Sequence, residues 1–490
     1  MLVSERLHYW PIGQGLFTHV DVRIGSALFR MVYDCGAGPE AGAANAEHAI
    51  ESLAGRKLDL LVISHFHWDH ISHVPQLLAK TGGAKRAWAP YLAPKARVLY
   101  AVALAGAAEV AGVPFDRYQQ HLSLAIRPVE WLTARGVEVV ELIGGPGEEP
   151  GGEGGPPSPD APERPPRRSD QEEPEEDVEG EDWPRLRLGP LRPWPGAFRA
   201  GSEFRARWSV VEAKGRRLRG GGGPLLALAT WCKPLPPGQV DQFRAFVQDV
   251  LGLELPRLGD GDLTESDERR LAEWLGENLG RADFREQLRG AYHQLQKQQD
   301  LNATSLCLCA QALRAWTRWV DFRAPYVLRP CGPIFPWPVG RGFRYVLEYM
   351  TLMEKTFRMF KSRYHCPWPE IFGEEASRDF PKGIGKWSPT VLWLGDCPGP
   401  TLLRMLKDAT SELTKRIAST WFWQVPHHGS KSGWCRQLYH ELMPAYGVVS
   451  CGLSNRYGHP STKVVSETGA AIITEAFAAP LVACIQWDTP

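Results

Sequence analysis

The sequence predicts a mixed α/β protein enlarged by a mainly helical insertion, and three observations carry that prediction. Residues 1–80 read as strands, a helix, a buried strand and a histidine-dense loop. Residues 385–490 return to apolar strands that each run into a polar loop. The chain between them shifts largely to helical periodicity.

Each element follows from its residues. "RLHYWPIGQGLFTHVDVRIGSALFRMVYDCG" alternates apolar and polar positions, with turn signals at Gly13, Gly15 and Gly25, so it predicts a hairpin or meander up to residue 36. "AGAANAEHAIESLAG" predicts a helix, "LDLLVIS" (58–64) a buried strand of continuous apolar type, and "HISHVPQLLAK" a further helix. The Ala/Gly-rich run "VLYAVALAGAAEVAGV" (98–113), interrupted by Glu109, is too short for a bilayer span of about 20 residues and predicts a packed helix. Residues 144–182 are Gly, Pro and acid with almost no apolar side chains, a composition that cannot offset the entropy of ordering and predicts disorder. "PLLALATWC" (224–232) predicts a strand, 237–298 helices, and "TSLCLCA" (304–310) another strand. After the loop-rich "LRPCGPIFPWPVGRG", strands resume in "TVLWLGD" (390–396), "TWFWQVPHHGS" and "YGVVSCG". No internal repeat is visible. The expected organisation is a first half-domain at 1–80, a helical insertion at 81–143, a disordered linker at 144–182, strands interrupted by a largely helical insertion at 183–384, and a second half-domain at 385–490.

Composition narrows the class. A chain of 490 residues buries a substantial core without cross-links, and its 10 cysteines are scattered, with only Cys307 and Cys309 close together. The N-terminus lacks the basic start and apolar core of a secretory signal, so a reduced, cytoplasmic protein with no membrane association is expected. Lys+Arg and Asp+Glu both total 56, so attraction to nucleic acid has to come from local patches.

The chemistry concentrates in "VISHFHWDHISH", residues 62–73, which follows the buried strand. Histidines two apart on an extended loop point to one side, and Asp69 and His70 open the next helix. His65, His67, Asp69 and His70 together offer imidazoles and a carboxylate, a donor set suited to Zn²⁺ or, with more oxygen ligands, Mn²⁺ or Fe. His73, a helical turn past His70, fits a role supporting the ligands or a place on the surface better than ligation itself.

The string resembles the metallo-β-lactamase fold superfamily. "YDCG" (33–36), "LWLGD" (392–396), "VPHHGSKSG" and "VVSCGLSNRYGHPS" look like the corresponding domain of the ComEC/Rec2 competence proteins and their free-standing relatives, and "LNATSLCL" (301–308) is similar to a strand start in that group. The resemblance covers roughly 1–80 and 385–490, with islands near 224–232 and 301–310. It implies an αββα sandwich with two divalent metal ions, Zn or Mn, at one edge of its sheets. His65, His67 and a further histidine would hold one ion; Asp69, His70 and another histidine would hold the second; Asp396 would bridge them. Either His427 or His428 would complete the first set while the other bonds a phosphate oxygen or protonates a leaving group, and His459 is the choice for the second set. Asp69 would also orient the attacking hydroxide, Ser430 and Lys431 would contact substrate phosphate or belong to a plain solvated loop, and Asp34 would fix a metal-binding histidine or the metal loop. Read without the family, "PHHGS" is a polar turn in which adjacent histidines face opposite ways, so at most one is a ligand.

Three departures stand out. Leu-Phe-Thr follows "GQG"; the helix after the metal loop begins His-Ile-Ser-His; and more than 300 residues separate His70 from Asp396, enough for an added domain or lid and for a surface that docks a protein partner. The resemblance implies phosphodiester cleavage of nucleic acid by a hydroxide activated by two metals, with Asp69, Asp396 and His428 in catalytic roles. Residues 185–219 add Arg and Lys interleaved with Trp and Phe, and "LRAWTRWVDFR" repeats that pattern; both suit phosphates and unstacked bases, as well as an ordinary solvated face. A small-molecule phosphodiesterase or lactonase, and a partner-dependent or non-catalytic module, are the competing readings; a full set of ligand types argues against the last.

Overall fold

A computed structural model describes residues 2–145, 185–323 and 390–488, less short gaps of which the longest are 216–222 and 253–262. The acidic stretch beyond Gly145 and the loop-rich segment at 328–342 lie outside the described residues.

The N-terminal meander forms as its alternation predicts: β1 (Leu2–Tyr9), β2 (Gly15–Ile24) and β3 (Ala27–Ala37) pair antiparallel, with His8 opposite His19 and Val22 opposite Phe29. Helix α1 (Gly42–Leu53) leads to β4 (Leu58–Val62), whose residues are buried throughout, as a strand covered on both faces requires. The expected single helix after the metal-type loop is two pieces, α2 (Trp68–Ile71) and α3 (Val74–Thr81). Pro75, which has no N–H to continue a helix, restarts it, and the His73 amide donates to the Cys35 carbonyl at 2.9 Å instead.

The segment at 81–143 contributes strands at both ends, β5 (Ala84–Pro90) and β6 (Val137–Ile143), around α4 (Pro94–Ala111), α5 (Phe115–Ile126) and α6 (Pro128–Thr133). No helix among the described residues is long and apolar enough to cross a membrane. Then come β7 (Arg185–Leu188), β8 (Arg192–Pro193), β9 (Arg205–Lys214) and β10 (Gly223–Cys232). Helices α7 (Pro237–Ala245), α8 (Glu265–Asn278) and α9 (Ala282–Gln298) precede β11 (Cys307–Ala312) and β12 (Trp316–Arg323). Thr264 and Asp267 cap α8 reciprocally, which fixes where it starts. The final part holds β13 (Thr390–Trp393), α10 (Gly399–Asp408), α11 (Ser411–Ala418), β14 (Thr420–Gln424), α12 (Arg436–Leu442), β15 (Tyr446–Ser450), α13 (Thr462–Thr468), β16 (Ala471–Ile473) and β17 (Leu481–Asp488).

Two sheets result. The first has the order β12-β17-β1-β2-β3-β4-β5-β6 and the second β16-β15-β14-β13-β11-β10-β9-β7, with β8 paired to β9. Each is antiparallel on one side and parallel on the other: β3 to β6 run parallel in the first, β13 to β16 in the second. The faces between the sheets bury Val3, Leu7, Phe29, Leu60, Leu228, Leu308, Trp393 and Ile485. Helices α1 and α3 to α6 cover the outside of the first sheet, and α10 to α12 cover the second, giving an αββα sandwich.

One departure from simple layering bears on function. Although α8 and α9 lie in sequence between β10 and β11 of the second sheet, their Leu271, Leu275, Phe284 and Leu288 join the helical core of the first. Gly106 makes the α4–α9 approach possible, because a Cβ there would meet the Leu288 carbonyl oxygen at 2.5 Å. The chain leaving β10 therefore crosses to the helices of the other sheet and returns at Asn302, beside the ends of β3, β4 and β13.

Candidate metal centre

Strands β3 and β4 of one sheet and β13, β14 and β15 of the other end at a common edge, where loops leaving parallel strands are free to carry polar groups. The sheets are tied together there: the Tyr33 hydroxyl donates to the Leu306 carbonyl at 2.7 Å, and the Leu306 amide to the Ser64 carbonyl at 2.8 Å.

Strand β4 delivers Ser64, His65 and His67, and α2 delivers Asp69 and His70. The turn after β13 delivers Asp396. Gly395 sits at φ +52° and a Cβ on it would lie 2.9 Å from that of Ser64, so glycine is needed both for the backbone angle and for the close approach. Gln424 on β14 clamps this turn: its Oε1 accepts from the Leu394 and Gly395 amides at 3.0 and 2.9 Å, and its amide donates to the Gly395 carbonyl at 3.2 Å.

The side chains gather into two groups, His65–His67–Asp396 and Asp69–His70–His428, each with its ligand atoms within 4.8 Å of one another. Asp396 faces both. Its Oδ2 lies 3.8 Å from His65 Nε2, and its Oδ1 lies 3.2 Å from His70 Nε2 and 3.6 Å from His428 Nε2. His428 Nε2 is also 3.2 Å from Asp69 Oδ2.

The other nitrogens of the imidazoles are held from behind. Asp34, fully buried, takes His70 Nδ1 at 2.8 Å and accepts the Ser64 amide and hydroxyl at 2.6 Å each. His428 Nδ1 donates to the Ser450 carbonyl at 2.9 Å, leaving the Nε2 lone pair toward Asp69 and Asp396. Asp34, His427 and His428 are the non-glycine residues with positive φ among those described, at 54°, 51° and 51°. Left-handed backbone in residues with a Cβ is costly, and here it is confined to the edge where the two groups meet.

That backbone separates the two histidines of "PHHGS". The left-handed turn swings His428 to Asp69 and His70, the place His459 was expected to take. His427 Nε2 stands 3.9 Å from Asp396 Oδ2, with the Asn302 amide nitrogen 3.5 Å from its ring. His459 lies in neither group; its ring faces His427 at 5.5 Å, and Asn455 Oδ1 accepts its amide at 2.9 Å. His73 lies in neither group and its Nδ1 meets the Ser72 hydroxyl at 2.9 Å. Ser430 is buried, with its Oγ accepting the Gly433 amide at 2.8 Å, whereas Lys431 is exposed.

Charge follows geometry. Burial pushes His65 well below the ordinary histidine range and His67 down to about 4, so both offer neutral nitrogens. Burial opposes charge on His70 and His428 too, but Asp396 and Asp69 outweigh it and drive both up, with Asp34 adding to the effect on His70. Asp396 and Asp69 are held low, because His70 and His428 overcome the effect of burial. Positive charge is thus favoured between these carboxylates.

The residues fit divalent cations on a structural test. His65 Nε2, His67 Nε2, His70 Nε2, His428 Nε2 and Asp396 Oδ1 are all buried and close no hydrogen bond. Buried polar atoms are almost always paired, so five converging orphans, the neutral nitrogens of His65 and His67 among them, mark a place for positive ions.

Residues that motif reasoning did not single out also build the centre. Gln424 carried a signal, as a polar residue in the apolar strand "TWFWQVP". Ser64 lies inside the quoted string, directly before His65, and the Ser450 contribution is a main-chain carbonyl, which no side-chain pattern reveals.

No curated protein matches the chain. Residues 29–196, which contain Asp34, His65, His67, Asp69 and His70, match the model of the metallo-beta-lactamase superfamily.

Proposed function

We propose that the protein is a metal-dependent phosphodiesterase acting as a nuclease on DNA or RNA. The observation that carries the hydrolase part is Asp396, which belongs to one His/Asp group and faces the histidines of the other, with inward atoms that lack hydrogen bonds. His65, His67 and Asp396 would hold one divalent ion and Asp69, His70, His428 and Asp396 the other. Two such ions supply an acidified water and a clamp on the attacking and leaving oxygens of an in-line displacement.

The chain's own residues do the rest. Asp34 holds a proton at His70 Nδ1 and the Ser450 carbonyl does the same at His428 Nδ1, so both rings present Nε2 inward. Asp69, with a partly exposed carboxylate, is placed to orient the nucleophile. His427, part-exposed beside Asp396, is the nearest imidazole outside the two groups and is suited to bond a phosphoryl oxygen or pass a proton to the leaving group.

Two features support a polynucleotide substrate. The first is the similarity of "PHHGS" and "YGHPS" to the ComEC/Rec2 group. The second is register: Arg205 pairs with Cys232, Trp231 with Cys307, and Leu308 with Trp393. The basic, aromatic start of β9 therefore reaches the same edge as Asp396, three strands over, or about 14 Å at ordinary strand spacing. A backbone of phosphates spans that distance; a small ester does not. The complete burial of His65 and His70 favours the second reading, a small-molecule phosphodiesterase or lactonase.

The test is cleavage of labelled single- and double-stranded DNA and RNA, alongside bis(4-nitrophenyl) phosphate, with Mn²⁺, Zn²⁺ or EDTA. Polymer cleavage lost with EDTA and weakened by salt supports the nuclease. Hydrolysis of the small diester alone supports the second reading.

A further inference from the structure

Two histidines stand beside the centre without belonging to either His/Asp group. His427 Nε2 is 3.9 Å from Asp396 Oδ2, and its side chain is 22 % exposed. His459, also partly exposed, sets its ring 5.5 Å from that of His427 at an angle of 64°. Rings at that angle make a corner rather than a stack, and both reach solvent. The histidines of the two groups differ in access: His65, His67, His70 and His428 are all buried.

The corner is held chiefly by one side chain. Asn455 Oδ1 accepts the His459 amide at 2.9 Å, while its Nδ2 donates to the His459 carbonyl at 2.6 Å and to the Gly452 carbonyl. A carboxamide that takes both main-chain groups of one residue fixes that residue's backbone and so the direction in which its side chain leaves. The loop is then docked on the "PHHGS" turn. The Ser461 amide donates to the Gly429 carbonyl at 2.9 Å, and a Cβ on Gly429 would lie 2.9 Å from that of Pro460. Three main-chain bonds from one side chain, spent on a partly exposed histidine near Asp396, are the kind of support that a binding group needs and a solvated loop does not.

We propose that His459 binds substrate: its imidazole and that of His427 donate to two oxygens of one phosphoryl group at the open side of the centre, and Asn455 is the positioning residue for His459. A neutral imidazole keeps one N–H in either tautomer, so the contact requires no proton transfer. The part played in the reaction rests on the phosphodiesterase reading, whereas phosphate binding is independent of it.

The experiment compares wild type with His459→Leu, which removes both ring nitrogens, His459→Gln, which keeps an N–H donor, Asn455→Ala, and the His459→Leu/Asn455→Ala double variant, all loaded with Mn²⁺. Metal content, melting temperature, affinity for inorganic phosphate by calorimetry, and kcat and KM on bis(4-nitrophenyl) phosphate are measured. His459→Leu is expected to keep its Mn²⁺ and to bind phosphate about 10-fold or more weakly, the range for a hydrogen bond to a charged group, with a higher KM on the diester. His459→Gln should recover part of that affinity. Asn455→Ala should weaken phosphate binding on its own but add less than about twofold to His459→Leu, because it acts through the same ring. If wild type binds phosphate, His459→Leu weakens it and no protein hydrolyses the diester, the binding assignment stands and the phosphodiesterase reading falls. Unchanged phosphate affinity in His459→Leu, or no phosphate binding to wild type, overturns the proposal. Loss of Mn²⁺ in both His459 variants also overturns it and makes His459 a metal ligand; a melting temperature lowered in both makes it a prop for the loop. Additive losses in the double variant overturn the role of Asn455.

Discussion

Replacing Asp34 by Asn separates holding the fold from holding the metal. Asp34 accepts from the Ser64 amide and hydroxyl and from His70 Nδ1, at 2.6, 2.6 and 2.8 Å, in a site with no exposure. Asn has nearly the same shape, and its oxygen can keep the Ser64 amide, but its NH₂ then faces His70. His70 must turn acceptor at Nδ1, and its proton moves to Nε2, the atom 3.2 Å from Asp396. With that nitrogen blocked, metal affinity should fall about 10- to 100-fold, or roughly 1.4–2.7 kcal/mol, while the fold persists. Asp34→Ala goes further, leaving the Ser64 and His70 donors buried and unpaired at about 1–3 kcal/mol each, with about 1 kcal/mol more for Ala at a positive φ. Titration against a competing chelator, with urea denaturation of the metal-free proteins, reads both. An Asp34→Asn protein that binds metal within twofold of wild type would refute the claim that Asp34 sets the His70 tautomer.

Two further outcomes follow from other parts of the structure. Gln424→Leu leaves the Leu394 and Gly395 amides without their acceptor and should cost about 2–4 kcal/mol in urea denaturation, with weaker metal binding because Asp396 loses its mooring. His121 on α5 is buried against the Ser72 carbonyl, and burial outweighs its two carbonyl partners to bring its pKa from 6.5 down to about 4. The unfolded chain therefore binds more protons between these values, so stability is whole above pH 6.5 and falls as pH drops toward 4, by up to about 3 kcal/mol from this residue. His121→Gln should remove that share of the slope in denaturation at pH 7.5, 5.5 and 4.5; an unchanged slope would contradict it.

Much of this architecture was legible in the residues. The alternation of β1 to β3 and the uninterrupted apolar run of β4 specified their strands, because burial on one face or two leaves a direct periodic mark. The His65–His67–Asp69–His70 string was equally plain, and "LWLGD" pointed to Asp396. What escaped the sequence depends on backbone angles or on distant partners. Alternation says that His427 and His428 diverge but not which one meets Asp69; a turn with φ +51° at both residues decides it. The same turn leaves His459 against His427 instead of at the second group. Strands β5 and β6 frame the helices of 81–143, yet their place in the first sheet depends on parallel pairing with β4 and with each other, which no local pattern reports. The crossing of α8 and α9 to the other helical layer was hidden for the same reason: amphipathic helices show that they pack, not against what.

The central claim is that one carboxylate, Asp396, joins two metal positions. Loading the purified protein with Mn²⁺ and recording its electron paramagnetic resonance spectrum, beside that of Asp396→Ala, tests this most directly. The account predicts two Mn²⁺ per wild-type chain with a spin-coupled spectrum, and loss of the coupling in Asp396→Ala. A single isolated Mn²⁺ signal in wild type, or coupling that survives in Asp396→Ala, would contradict it.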